Sequence, residues 1–326
     1  MKAKRTLRLD FWSIITLVIF ALFALFLIYP LFRLLISGFK DNETGLWTLN
    51  NFRTFFGRKY YTNPIKHSLT IGVWVTLLTV GLGSLLAYLL TFYQIKGKRV
   101  LQVFIIFSMM SPSFIGAYSW VILLGRSGLV TQFFLNTFGV RTPTIYGVGG
   151  IILVLVLKMY SIIYLYVSGA MKKVDISLIE ASQSLGCKPS KGVVTMIFPL
   201  VLPTILASAL MVFMTSIADF GTAMLIGEGY RVLPVLIYRS FMGEMGSDAN
   251  FAAAIALVMV SLTAFLYFVQ KFIINRMSFK MKSVKSIQPK EITGLKSIFA
   301  HAYAYVLVGI SVIPQLTVIY TAFLKT

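Results

Sequence analysis

Residues 180–199 read EASQSLGCKPSKGVVTMIFP, and this polar stretch decides the fold because of what surrounds it. An apolar run precedes it at 142–171, interrupted by Lys158, and a second apolar run begins within it and extends over 192–218. About 20 apolar residues span the hydrocarbon core of a bilayer, so each run is long enough to form a membrane helix. The sequence therefore predicts a polar loop at the membrane surface between two spans.

The same loop carries the signals of a short surface helix. Ser177 precedes Glu180 by three residues, which is the capping-box spacing of a helix start, and Gly186 before Pro189 is a typical helix stop. Helical spacing places one group of side chains on a common face: Ile176, Ile179 and Gln183, flanked by Leu178, Ala181, Ser182 and Leu185. Such a helix could dock in a groove on a partner protein. The alternative is that Glu180 only caps an ordinary connector.

The composition predicts an all-α polytopic membrane protein. Apolar residues make up 58% of the chain and charged residues 12%, and the mean hydropathy is +0.85, a combination that soluble domains do not have. Seven runs lack Asp, Glu, Lys and Arg and are each a credible membrane helix. They are 11–32, 68–95, 100–125, 142–157 (continued past Lys158 to 171), 192–218, 250–270 and 297–324.

The net charge of +20 is distributed as in a membrane protein and does not indicate nucleic-acid binding. With the N-terminus in the cytoplasm and alternating spans, the densest basic cluster, 271–296, falls inside, as the positive-inside rule requires. Attraction to anionic lipid would help to hold this cluster at the inner surface. The first run is too long for a signal peptide, and the single Cys187 excludes a disulfide within the chain.

Two segments between the spans are predicted to lie on the outer side. Residues 41–66 are strongly aromatic and are expected along the membrane interface, with contact to a substrate-delivering protein as the alternative. Residues 126–150 are rich in Gly, Thr and Pro and are expected to form a loop. Within the third run, Pro112 between Ser111 and Ser113 predicts a kink, which either borders a transport pathway or is purely structural.

The loop at 180–199 resembles the cytoplasmic coupling loop of ABC-importer permeases. The family pattern is Glu-Ala-Ala, three residues, Gly, nine residues, and an apolar residue two places before Leu-Pro. The residues in register with this pattern are Glu180, Ala181, Gly186, Met196 and Pro199. The chain departs from the pattern mildly, since Ser182 replaces the second Ala and Phe198 replaces the Leu.

This resemblance implies a type I ABC importer transmembrane domain, a permease that has no catalytic residues and no cofactor. It implies that the loop helix couples to a dimer of cytoplasmic ATP-binding subunits through Glu180, Ala181, Gly186, Ile179 and Gln183. It also implies an external or periplasmic substrate-binding protein and a second permease half or second copy. The location implied is the bacterial inner membrane. ATP binding would close the ATPase dimer, draw the coupling helices together and turn the pathway outward.

Ionisable residues within membrane spans are candidates for function, and Asp219 and Lys158 are two of them. Asp219 could contact substrate, pair with Lys158, or cap a broken helix at Gly221, and the sequence leaves all three open. The candidate pathway residues are Asp219, Phe220 and Lys158. No resident metal site is predicted. The tetrad Ala218-Asp219-Phe220-Gly221 resembles ferric-iron permeases and their relatives for thiamine, polyamine or phosphonate. Among these cargoes, the resemblance favours ferric iron as the predicted substrate.

The expected organisation is a six-helix permease unit at 1–276, with its coupling loop at about 172–199, a basic cytoplasmic linker at 277–296, and a seventh membrane helix at 297–326. The first and last helices share a residue pattern, because Pro314, Thr321 and Phe323 have the same sequence spacing as Pro30, Ser37 and Phe39. The seventh helix is therefore interpreted as the start of a second permease unit, and the chain as the N-terminal portion of a fused two-unit permease or the product of a broken gene for one. The alternative is a homodimer of identical chains, which leaves the linker and the extra span unexplained.

Two other classes of protein fit the sequence less well. A secondary transporter or channel would need no ATPase, and a buried network of acids would favour it, yet the apolar runs offer only Asp219. A membrane enzyme would need clustered His, Cys or carboxylates, whereas His67 and His301 are assigned to opposite sides or different spans.

Overall fold

The computed structural model describes residues 10–140, 142–175, 177, 184, 193–243, 248–276 and 289–323. In these ranges the secondary structure is helical apart from turns and isolated β-bridges. The helices are α1 Phe11–Gly38, α2 Asn50–Gly57, α3 Lys59–Phe92, α4 Lys98–Met109, α5 Ser113–Leu124, α6 Leu129–Phe138, α7 Val148–Met171, α8 Phe198–Ala218, α9 Gly221–Ile226, α10 Leu233–Phe241, α11 Ala249–Arg276 and α12 Leu295–Phe323. α1 contains a π-helical stretch at Ala24–Ile28, and a π-helical turn at Val193–Ile197 leads into α8.

Within the described ranges, seven helical segments are long and apolar enough to cross a membrane. They are Phe11–Gly38, Lys59–Phe92, Ser113–Phe138, Val148–Met171, Thr195–Ala218, Ala249–Phe272 and Leu295–Phe323. The prediction of an all-α polytopic protein is confirmed.

The third apolar run differs from its prediction. Instead of one helix over 100–125, helices α4 and α5 lie on either side of a break at residues 110–112. The predicted outer loop at 126–150 was also wrong in part, because it contains α6, whose C-terminal end is capped by Gly139 with a left-handed φ of 66°. Apolar residues recur along α6 with helical spacing, and the neighbouring Gly, Thr and Pro residues obscured that signal.

Residues 41–66 are also more helical than the sequence suggested. α2 lies within this segment, and α3 begins at Lys59. Ahead of α2, Asp41 closes a turn, and its Oδ1 accepts hydrogen bonds from the backbone N–H (2.9 Å) and hydroxyl (3.0 Å) of Thr44. These hydrogen bonds stabilise the carboxylate and hold the pKa of Asp41 below its ordinary value. A position along the membrane interface stays a prediction for this segment.

One compact unit comprises residues 1–62 and 236–261. In it, the buried Asn51 of α2 donates from Nδ2 to the carbonyl oxygens of Gly38 (3.2 Å) and Lys40 (3.0 Å), which caps the C-terminal end of α1. A Cβ on Gly38 would lie 2.6 Å from Leu257 Cδ1, so α1 and α11 approach closely there. Within the described part of the chain, the apolar body of α1 buries none of its side chains.

The other unit comprises residues 63–235 and 262–326, and α7 forms its core. α3 crosses α7 at a glycine, because a Cβ on Gly83 would lie 2.7 Å from both Tyr160 O and Ile163 Cβ. α3 meets α8 in the same way, since a Cβ on Gly72 would lie 2.8 Å from the ring of Phe213. Small residues at helix crossings let backbones approach, which is how membrane helices gain packing energy.

Three basic segments lie together at one end of this unit. The backbone N–H of Gln94 donates to Lys290 O (2.9 Å), and that of Lys290 donates to Phe92 O (2.8 Å), which joins the segment after α3 to the one before α12. Burial lowers the pKa of the Lys98 ammonium, and the charge of Lys172 lowers it further. The ends of α3, α7 and the start of α12 are therefore on one side of the helices. Which face of the membrane this is stays a prediction.

Candidate functional site

The residues predicted to couple to an ATPase are Ile179, Glu180, Ala181, Gln183 and Gly186, and they lie outside the described residues. The structure does describe how the chain enters this loop. Asp175 Oδ1 accepts a hydrogen bond from the backbone N–H of Ser177 (3.0 Å), and Ser177 is itself helical. The capping residue is therefore Asp175, and the prediction that Ser177 caps the helix was wrong.

The break between α4 and α5 comes from Pro112. Proline has no backbone N–H, so residue 112 cannot donate to the carbonyl oxygen of Ser108 four positions earlier. Pro112 has an extended conformation (φ −58°, ψ 144°), and α5 begins at the next residue. The carbonyl freed in this way needs another donor, because the interior of a membrane offers little water. The predicted kink is thus a full interruption of the helix.

A second break separates α8 from α9, and Asp219 forms it. Asp219 is extended (φ −70°, ψ 114°) and only 9% exposed. Its Oδ1 accepts a hydrogen bond from the backbone N–H of Thr222 (2.9 Å), which satisfies a free donor at the start of α9. Of the roles that the sequence left open for this carboxylate, the geometry shows the helix cap.

The two breaks pack against each other. A Cβ on Gly221 would lie 2.9 Å from the backbone nitrogen of Phe114, so α9 and α5 touch at their first turns. Beside this contact, the rings of Phe114 and Phe220 meet edge to face, with centroids 5.5 Å apart. The candidate residue Phe220 therefore holds the broken spans together.

Lys158 of α7 reaches this junction from the other side. Its Nζ donates to Ser113 Oγ at 2.8 Å. Although both residues are described, no ion pair of 4 Å or less joins Lys158 to Asp219. The structure thus brings the three candidates Asp219, Phe220 and Lys158 to one junction without pairing the two charges.

A small cavity of about 20 Å³ lies at the same junction. Its lining includes Ser111, Ser113, Lys158, Thr222 and Gln315. Among the described residues, Thr222 Oγ1 and Gln315 Oε1 are buried without a hydrogen-bond partner. The volume is enough for about one water molecule.

Gln315 is a residue of this site that sequence reasoning missed. It lies on α12 next to Pro314, is 8% exposed, and donates from Nε2 to Ser108 O at 2.9 Å. A glutamine inside an apolar run was a usable signal, since buried amides in membrane helices need partners. Gln315 was missed because only ionisable residues within the apolar runs were considered as candidates. Among the residues that the structure describes, no group of three or more His, Cys, Asp or Glu is arranged to hold a metal ion.

Membrane helices that break beside buried polar side chains are typical of polytopic transport proteins. The chain belongs to the family described as "Binding-protein-dependent transport system inner membrane component", whose sequence model matches residues 79–279. The resemblance to ABC-importer permeases is confirmed, and the chain is a multi-pass inner-membrane protein.

Similar proteins carry different substrate names. The ferric transport system permease protein FbpB of Actinobacillus pleuropneumoniae is 29% identical over 275 residues, covering 84% of this chain and 39% of that protein. A putative 2-aminoethylphosphonate transport system permease protein, PhnU of Salmonella typhi, is 26% identical over 244 residues, covering 72% of this chain and 81% of that protein. The chain spans about two fifths of the length of the ferric permeases that it matches.

Solved structures support the fold. The bacterial ABC transporter involved in the import of the acidic polysaccharide alginate matches with a TM-score of 0.68 and 18% identity, covering 82% of this chain and 96% of that one. The same kind of transporter in complex with an alginate pentasaccharide-bound periplasmic protein matches with a TM-score of 0.71 and 17% identity, over 83% and 96% of the two chains. The type I importer fold is confirmed by this likeness.

Proposed function

We propose that this chain is the membrane-spanning permease subunit of an ATP-driven importer that moves substrate from an external binding protein to the cytoplasm. The observation that carries the proposal is the family match over residues 79–279, a range that contains the predicted coupling loop. In this proposal the N-terminus is cytoplasmic and a separate ATPase dimer hydrolyses ATP. Purification in mild detergent is expected to retain an ATP-binding subunit. ATP-independent transport by a preparation that lacks such a subunit would contradict the proposal.

The proposed coupling element is the loop helix with Glu180, Ala181 and Gly186, and Ile179 and Gln183 on its docking face. Its support is the register of these residues with the family pattern and the cap that Asp175 provides just before it. Closure of the ATPase dimer would pull this helix, and the force would pass into α7 and α8, which flank the loop.

The proposed pathway runs beside the two broken spans. Asp219 and Phe220 border the second break, and Lys158 reaches the first through Ser113. Broken membrane helices provide free backbone groups and polar gaps, and transport sites are commonly built from them. A change of state that separates α5 from α9 would open the junction that Gly221 and Phe114 now close.

Ferric iron is the proposed cargo. Its support is the likeness to ferric permeases and the tetrad Ala218-Asp219-Phe220-Gly221. The test is ATP-dependent uptake of radioactive iron into vesicles that contain the full-length permease, its ATPase and its binding protein. Uptake of iron that stops without ATP is the expected result.

The second candidate cargo is an organophosphonate. Its support is the 26% identity to the 2-aminoethylphosphonate permease, of which this chain covers 81%, together with the ammonium of Lys158 at the junction. Vesicles that take up 2-aminoethylphosphonate but not iron would favour this candidate. Thiamine and polyamines serve as further competitors in the same assay.

For the domain organisation, we propose a permease unit at 1–276, a basic cytoplasmic linker at 277–296, and a seventh helix that opens a second unit. The repeated spacing of Pro30 and Pro314 and the greater length of the ferric relatives support this organisation. The complete coding sequence tests it. Five further spans and a second Glu-Ala…Gly loop are expected downstream, and a homodimer that transports without them would contradict it.

A further inference from the structure

Helix α12 is held against α3, α4 and α7 by a line of hydrogen bonds, which we name the α12 seam. In the membrane interior, Gln315 donates to Ser108 O, and Tyr160 and Ser311 share a hydrogen bond of 2.8 Å between their hydroxyls. Ser311 also donates to Val308 O (2.8 Å), so in the pair with Tyr160 it is the acceptor. Buried hydrogen bonds of this kind hold membrane helices together where apolar contacts do not discriminate.

The seam continues to the basic end of the unit. Tyr303 donates to Leu82 O (2.9 Å), and Tyr305 donates to Lys96 O (2.7 Å). His301 accepts from the backbone N–H of Lys96 at Nε2 (3.2 Å). α4 and α12 therefore run parallel, with matched polar contacts at both ends.

Gln315 has a specific task in the seam. The carbonyl oxygen of Ser108 has lost its helical donor because residue 112 is proline. The carboxamide of Gln315 supplies that donor at 2.9 Å. An apolar residue at position 315 would leave the carbonyl unsatisfied inside the membrane, which is strongly unfavourable.

At the positions that match the seam, helix α1 has none of the polar groups that the seam uses. With Pro30 aligned on Pro314, the positions that match the seam residues of α12 hold Leu17, Ile19, Ala21, Leu27 and Leu31. Ala304 is fully buried in α12, whereas the matching residue of α1 is the much larger Phe20. α1 would therefore both leave polar groups unsatisfied and clash, although the two helices share the spacing of Pro, Ser or Thr, and Phe.

We propose that the α12 seam is a selective docking surface that accepts the opening helix of the second unit and rejects the opening helix of another first unit. The proposal rests on the proposed role of α12 as the start of a second unit. Its consequence is that two copies of this chain cannot pair by exchanging α1, so the two units of the permease are not interchangeable. Selectivity arises both from the hydrogen bonds that α12 makes and from the bulk and polarity mismatch of α1.

The test is chemical cross-linking within the full-length chain in membranes. In a Cys187→Ser background, Lys96→Cys and Tyr305→Cys are joined with a short bis-maleimide, since the hydroxyl of Tyr305 lies 2.7 Å from Lys96 O. A protease site inserted between residues 277 and 288 separates the two halves unless they are linked. The cysteine pair removes the hydrogen bond of Tyr305, and with the rest of the seam unaltered it is expected to link efficiently within one chain.

The decisive variant gives α12 the residues of α1: Tyr303→Ile, Ser311→Leu and Gln315→Leu. The linked fraction is expected to fall about tenfold, because two buried hydrogen bonds and one half-buried hydrogen bond are lost and the carbonyl of Ser108 has no donor. The matched control makes three α1-like changes on the exposed face of α12, Val306→Leu, Ile310→Phe and Leu316→Phe, and is expected to link normally.

Equal linking in the two triple variants would overturn the proposal. If the seam triple is degraded, Gln315→Leu against Leu316→Phe decides the question in the same way. A cross-linked dimer from Lys96→Cys with Ala21→Cys, the α1 position that matches Tyr305, would also overturn it. Because no uptake is measured, a wrong proposal for the cargo or the ATPase leaves this result unaffected.

Discussion

Asp219 lies between two helices with its carboxylate buried and bonded to the backbone N–H of Thr222 at 2.9 Å. This geometry separates two roles that a single substitution would confuse. Asparagine keeps the accepting oxygen and removes the charge, whereas alanine removes both. The pair of variants therefore tests the cap and the proposed pathway role independently.

We expect Asp219→Asn to assemble with near-normal thermal stability, because the hydrogen bond to Thr222 is retained, and to lose most of its uptake. Asp219→Ala is expected to lose about 1 kcal/mol of stability in addition, which is typical for removal of a helix cap. Thermal unfolding in detergent and vesicle uptake measure the two effects. Normal uptake by Asp219→Asn would show that the cap is the whole role of this residue.

Lys158 provides the control for this experiment. Its Nζ is bonded to Ser113 and not to Asp219. Lys158→Met is therefore not expected to rescue either Asp219 variant. Rescue would mean that the two charges pair in another state of the transporter.

Close helix packing depends on single glycines, and α3 offers a matched comparison. Gly83→Val would place its Cβ 2.7 Å from the backbone oxygen of Tyr160, which neither helix can relieve without moving. We expect Gly83→Val to lower the free energy of unfolding by about 1–3 kcal/mol, the usual range for overpacking. Thermal unfolding in detergent measures it.

Gly81→Val is the control, because a Cβ at Gly81 has no neighbour within 4 Å although it is on the same helix. Both variants carry the same loss of glycine and the same β-branched side chain. Similar unfolding temperatures for the two would contradict the close approach of α3 to α7.

The helix break at Pro112 allows a test of the contact between α12 and the end of α4. Gln315→Leu is expected to lower the free energy of unfolding by about 1–3 kcal/mol, because it leaves the carbonyl of Ser108 without a hydrogen-bond donor. In a Pro112→Ala background, residue 112 regains an N–H that can reach this carbonyl when the helix straightens, so the same substitution is expected to cost less. A double-mutant cycle of thermal unfolding measures the difference.

Leu316→Ala is the matched control in this cycle, since Leu316 is exposed on the next position of α12. Its effect is expected to be equal in both backgrounds. An equal cost of Gln315→Leu with and without Pro112 would show that Gln315 does not replace the lost donor.

The membrane helices could be predicted from the sequence where the length and hydropathy of an apolar run are enough to identify a helix. The apolar run at 142–171 contains α7, which begins after Pro143 and Gly147 and continues through Lys158. α6 was missed because its ten residues are short and lie among Gly, Thr and Pro. The partner of Ser108 could not be found either, because Gln315 lies far along the chain and only the packing of α12 brings the two together.

At the scale of the whole transporter, Gly186 tests the coupling proposal. Gly186→Val would force a β-branched residue into a predicted left-handed turn and misdirect the loop helix. We expect uptake and stimulation of the ATPase to be lost while the protein still inserts. ATPase assays in vesicles measure this coupling.

Cys187→Ser is the control for this prediction, because it changes the adjacent residue without altering backbone freedom. It is expected to keep coupling intact. Normal ATPase stimulation in Gly186→Val would contradict the proposed role of the loop.

The dependence of Pro112 on Gln315 also has a consequence for biosynthesis. A translocon releases membrane helices in chain order, so the third span enters the bilayer long before α12 has been made. Until then the carbonyl of Ser108 has no amide of α12 to donate to it. The third span is therefore expected to reach its final packing only after α12 has been synthesised.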